Sequence, residues 1–142
     1  LDVAPKNYDA TIGLGVALRG LNDLDGAEAQ YKKAKDLDPR RGDAYFNMGV
    51  LYKDFRATKQ DDPDQVQALR KSVAMYKTAK EWFQQFLDKT STEADKAEAK
   101  ENIKDCDKVM KQLDTFATQL ANSPKMPPAP TPAPTPANPP KK

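Results

Sequence analysis

Few side chains in this chain are equipped for covalent or acid–base chemistry. Histidine, the commonest proton shuttle at neutral pH and the commonest metal ligand, is absent. A single cysteine, Cys106, can form neither an intramolecular disulfide nor a thiolate metal site. Its place on an apolar helical seam predicts a buried, inert thiol rather than a reactive or cross-linking one. No catalytic residues, metal site or cofactor are therefore expected, and the chemistry that remains is recognition. The net charge of +2 is the balance of 23 basic and 21 acidic residues spread along the chain, too even to collect phosphate backbones, so nucleic acid is not an expected partner. No apolar run is long enough to enter a bilayer, so this part of the protein is not expected to insert directly in a membrane.

The elements that position the recognition residues are helical throughout. A hydrophobic share of 38% and a charged share of 31% with only 6 glycines suit a helical domain whose surface carries both charges. Ile12, Val16 and Arg19 share one helical face, and Leu14, Leu18 and Leu21 another, so the first helix is read as sandwiched. Gly20 and the run Asn22, Asp23, Leu24, Asp25, Gly26 form a turn, and a second helix from about Asp25 carries Ala27, Tyr31, Ala34 and Leu37 inward before Pro39. A second hairpin opens at Asp43, read as a cap for Ala44 to about Thr58. Asp61 and Asp62 followed by Pro63 announce its partner helix, running to about Asp88 with Val66, Leu69, Val73, Tyr76, Ala79, Phe83, Phe86 and Leu87 on the buried side. A last helix from Glu93 has a seam of Ala99, Ile103, Cys106, Met110, Leu113, Ala117 and Leu120, which suits packing on the preceding hairpin or, as the alternative, a short coiled coil. From Ser123 the chain is rich in proline and alanine, and an extended, disordered tail is expected there, either a spacer or a docking peptide for an aromatic groove.

The chain also repeats itself. Leu14 and Gly15 align with Met48 and Gly49, and Leu18 with Tyr52, at a separation of 34 residues. With Ala27, Tyr31, Ala34 and Pro39 completing the first unit, residues 8–90 resemble the tetratricopeptide repeat family, in which small residues such as Gly15 and Ala27 sit where paired helices touch. The resemblance implies an all-α solenoid of antiparallel helical hairpins coiled into a right-handed superhelix. The expected divisions are 1–7 as the end of a preceding repeat, 8–41 as one unit, 42–91 as a unit with an elongated hairpin, 92–121 as a capping helix, and 122–142 as the tail. The chain opens on Leu1, and the natural start is expected to lie upstream with at least one further repeat. In the second unit Gly49 and Ala79 are 30 positions apart where Gly15 and Ala27 are 12 apart, an insertion of 18. Both helices are expected to continue about two turns and to join near Gln60 to Asp62, making a protruding hairpin that is either a tolerated length variant or a docking arm.

In this family the first helix of each unit lines a concave groove. The resemblance therefore implies a groove of Asp9, Ile12, Val16 and Arg19, then Asp43, Phe46, Val50 and Lys53, with Asn47 bonding either a bound peptide or its own helix. Family members that clamp a terminal carboxylate need lysine and asparagine where this chain has Ile12, Val16, Phe46 and Val50, which disfavours that role. The expected function is a non-catalytic scaffold that holds a protein or peptide partner in this groove or on the elongated hairpin. The run Asp-Pro-Arg-Arg-Gly-Asp-Ala-Tyr-Phe-Asn, the long hairpin and the helix Ala97 to Leu113 also resemble the tetratricopeptide lipoproteins of myxobacterial gliding-motility complexes. That resemblance implies the periplasm, or the periplasmic face of the outer membrane, ahead of the cytoplasm. The alternative is a pilotin-like escort for an outer-membrane component.

Overall fold

The protein was analysed as a computed structural model that describes residues 5–124 and 129–135. Among these it is all-helical, with five α-helices and no strand: α1 (Pro5–Gly20), α2 (Leu24–Leu37), α3 (Asp43–Val50), α4 (Gln65–Leu87) and α5 (Glu93–Asn122). Residues 1–4 of the expected repeat exit, and 125–128 and 136–142 of the expected tail, lie outside the described residues. Residues 129–135 are exposed and have no regular secondary structure.

Local chemistry fixes where each helix begins and stops. The turn after α1 is closed by Asp23 N–H on the Leu18 carbonyl (2.9 Å) and Asn22 N–H on the Arg19 carbonyl (3.0 Å), with Asn22 in the left-handed region at φ 65°. An asparagine tolerates that conformation, so it performs the terminating role often given to glycine. Asp23 then caps α2, its carboxylate accepting from Gly26 N–H at 2.9 Å. The expected cap at Asp43 is not made. Asp43 is the first residue of α3, and the orphan N–H of Ala44 is taken instead by the buried Tyr8 hydroxyl of the first hairpin, at 3.1 Å. The cap of α4 also falls later than expected. Asp64, after the proline, accepts from Val66 and Gln67, while Asp62 holds Lys71 at 2.5 Å.

Each helix packs on its neighbours in sequence, and α1 touches α3 at only a few points. Ala27 and Tyr31 of α2 meet Met48 and Leu51, and Tyr8, Ala34 and Ala44 form an adjoining cluster. Tyr45, Phe86 and Ala99 form a third cluster, and Ala79, Phe83 and Cys106 a fourth, which joins α4 to α5. Cys106 is fully buried, and burial raises its thiol to about 11.

The 18-residue insertion extends the helices unequally. After α3 the chain continues as a π-helical stretch, Leu51–Arg56, and a 3-10 turn, Ala57–Lys59, before a link to Asp64. Relative to the first unit this adds about one and a half turns to the first helix and about three to the second. The base of the extension is tied to the first hairpin. Tyr52 donates to Glu28 at 2.8 Å, the Arg56 guanidinium reaches Asp25 (2.7 Å) and Glu28 (2.6 Å), and Lys59 bonds Asn22.

Candidate interaction surface

The predicted groove residues divide into those that remain open and those used within the fold. Val16 is 40% exposed, and Asp9 and Asp43 are exposed. Arg41 lies between the two carboxylates, 2.8 Å from Asp9 and 3.4 Å from Asp43, with its guanidinium 4.0 Å from the Tyr8 ring centre. Ile12 is half-buried against the clusters around Tyr31 and Tyr8.

Phe46 and Val50 are less available than a groove lining requires. Phe46 stacks against Phe83 (5.5 Å, edge-on) and Phe86 (5.1 Å), and Val50 packs on the cluster of Ala79, Phe83 and Cys106. The physical reason is that α4 sets the Phe83 and Phe86 rings against Phe46, while Val50 packs on the cluster that Cys106 of α5 completes. What stays open there is more polar than the sequence pattern implies.

Polar side chains span the neighbouring helices. Arg19 donates to the Asn47 carbonyl oxygen at 3.3 Å and lies 5.3 Å from the Phe55 ring centre. Asn47 also donates to the Asp43 backbone carbonyl at 2.9 Å, so both ends of its amide are engaged within the fold. Lys53 donates to Asn102 of α5 at 3.0 Å and pairs with Asp105 at 3.7 Å. The surface thus has carboxylates near the N-terminal ends of α1 and α3 and cations near their far ends.

The residues that the sequence pattern did not single out come mostly from α5. Phe46, Asn47, Phe86 and Asp43 share a hollow of about 160 Å³ with Asp95 and Glu98. Their signal is the polar stripe Asp95, Glu98, Asn102, Asp105, which runs one position ahead of the seam at Ala99, Ile103 and Cys106. The Glu28, Tyr52 and Arg56 cluster was equally silent in the sequence. Burial alone would raise the Glu28 carboxyl, but the Lys32 and Tyr52 hydrogen bonds and the Arg56 charge outweigh it and hold Glu28 below its ordinary value. Burial and the Glu28 hydrogen bond push Tyr52 up to about 12.

No group of histidine, cysteine, aspartate or glutamate suited to a metal ion occurs among the described residues. No helix among them is long and apolar enough to cross a membrane. No family model matches this chain, and neither a curated protein nor a solved structure matches it.

Proposed function

We propose that the chain is a non-catalytic protein-interaction scaffold, part of a tetratricopeptide-type solenoid in which α5 packs on the second hairpin. The observation that carries this reading is a contact that recurs in both hairpins. A Cβ on Gly15 would meet the Tyr31 ring at 2.5 Å, and a Cβ on Gly49 would meet the Phe83 ring at 2.7 Å. Ala27 and Ala79, four residues before those rings, are both fully buried. The small and large residues of the repeat pattern therefore meet in the same way on either side of the 18-residue insertion, which is the packing a repeated hairpin needs.

A second observation supports a longer array. Met48 and Leu51 are sealed by α2, whereas their counterparts one repeat earlier, Leu14 and Ala17, are exposed, Leu14 by 49%. With Ala10 and Leu21 they form an apolar stripe at helical spacing, which suits cover by a further helical unit. A bound partner then occupies the surface that includes Asp9, Val16 and the α3–α5 hollow. The cell-envelope setting rests on the resemblance to gliding-motility lipoproteins.

Affinity purification of the tagged full-length protein from its native host tests the scaffold against the escort. A scaffold retains its partner in fixed stoichiometry in the assembled complex. An escort is found with the unassembled partner and is absent from the finished assembly.

A further inference from the structure

The hollow between the starts of α3 and α5 has a floor and a rim of opposite character. Its floor is aromatic. Phe86 is 7% exposed, and the half-buried Phe46 stands against it at 5.1 Å. Its rim is acidic, with Asp43 from α3 and Asp95 and Glu98 from α5. A second lobe of about 230 Å³ shares Asp43, Phe86 and Asp95 and continues over Lys89 and Thr90.

Neighbouring cations leave most of this charge uncompensated. Arg41 is divided between Asp9 and Asp43. The Lys89 ammonium sits over the Tyr45 ring, 5.3 Å from its centre, and Lys96 is engaged by Glu93 at 2.9 Å. Among the described residues Asp95 accepts a hydrogen bond from Thr90 at 3.1 Å, and neither Asp95 nor Glu98 has an ion-pair partner. Helix-dipole compensation accounts for acids in a first turn, such as Asp43 and Asp95. It does not account for Glu98, one turn further on, or for aromatic rings at the base of the same hollow.

We propose that this hollow receives a lysine or arginine side chain from an extended segment of the protein partner. The inference rests on the interaction-scaffold reading and names the chemistry of its ligand. The methylene stem of such a side chain lies on apolar surface while its head stays polar, and an aromatic face attracts the cation. The carboxylates then supply charge-assisted hydrogen bonds. At about 160 Å³ the lobe lined by Phe46 and Glu98 suits one long side chain.

The test uses the ¹⁵N-labelled full chain titrated with acetyl-Leu-Arg-Leu-amide, acetyl-Leu-Gln-Leu-amide and acetyl-Leu-Glu-Leu-amide. The arginine peptide is expected to shift amides near Phe46, Asp95 and Glu98, to bind at least about tenfold more tightly than the glutamate peptide, and to weaken as salt is raised. In D95N/E98Q, whose side chains are exposed, the advantage is expected to fall about tenfold with the spectrum otherwise preserved. E98K is expected to reverse the preference towards the glutamate peptide. Equal binding of the three peptides, or an arginine advantage that survives in D95N/E98Q, overturns the proposal. If no peptide perturbs the hollow while a partner still contacts Val16, the hollow fails and the scaffold stands. Arginine-selective binding in the hollow with no partner at Val16 supports the hollow and overturns only the extension of the partner surface to Val16.

Discussion

Adding a single methyl group at Gly49 is expected to destabilise the protein, although alanine is the better helix former. In an exposed helix interior, glycine to alanine gains about 1 kcal/mol. At Gly49 the new Cβ would lie 2.7 Å from two Phe83 ring carbons and 2.9 Å from a third. Phe83 cannot swing aside, because it is fully buried and edge-on against Phe46 at 5.5 Å. Relieving such overpacking costs about 2–3 kcal/mol, so Gly49→Ala is expected to lose a net ~1–2 kcal/mol.

Gly13 is the internal control, since a Cβ there meets nothing within 4 Å. Gly13→Ala is therefore expected to stabilise by about 0.5–1 kcal/mol. Thermal unfolding followed by circular dichroism reads both, at roughly 3–6 °C per kcal/mol for a domain of this size. The double-mutant cycle with Phe83→Leu isolates the contact, and the two losses are expected to fall short of additivity by about 1 kcal/mol. A rise in Tm for Gly49→Ala matching that of Gly13→Ala, or strict additivity with Phe83→Leu, would refute the claim that the hairpins are held by glycine-on-ring contacts.

Other consequences can be checked with simpler assays. Tyr31 stands where the second hairpin has Phe83, and its buried hydroxyl has no hydrogen-bond partner among the described residues. Tyr31→Phe is therefore expected to be neutral or to stabilise by up to about 1 kcal/mol in urea unfolding. Glu28 has a folded pKa below its ordinary value of 4.5, so its contribution is in place above that pH and is lost as the pH falls through the depressed value. Glu28→Gln should accordingly flatten the acid limb of the stability profile relative to the unsubstituted protein. The Cys106 thiol, fully buried and raised to about 11, should resist a disulfide reagent at pH 8 in the folded protein and react in one step in guanidinium. Rapid modification under native conditions would show that the α4–α5 seam opens.

How much of this was legible in the sequence follows from which interactions are local. Helical periodicity placed Ala27, Tyr31, Ala79, Phe83 and Cys106 inside because each lies on a face set by its own helix. The match between Gly15 and Gly49 pointed to close helix contacts, and the rings that occupy them lie at corresponding places in the second helices. Capping at Ala44 was illegible because its acceptor, Tyr8, is 36 residues away. The π-helical stretch was missed for a similar reason: its tie to α2 runs through Arg56, Asp25 and Glu28, which look like ordinary surface charges until the chain folds. The groove was the least legible feature. Whether Phe46 and Val50 face solvent depends on where α4 and α5 lie, and a seam read along one helix does not say which neighbour covers which residue. That same ambiguity concealed Asp95 and Glu98, which border the hollow only because α5 runs back along α4.

The central claim is that a protein partner is held on the surface lined by α1, α3 and α5. A photo-crosslinking residue in place of Val16, compared with one at exposed Gln84 of α4, tests it in the native host. The account predicts a discrete adduct of constant mass from position 16 and none from position 84, with the adduct lost in D95N/E98Q if the partner also enters the hollow. Adducts of equal yield from both positions, or from position 84 alone, would contradict it.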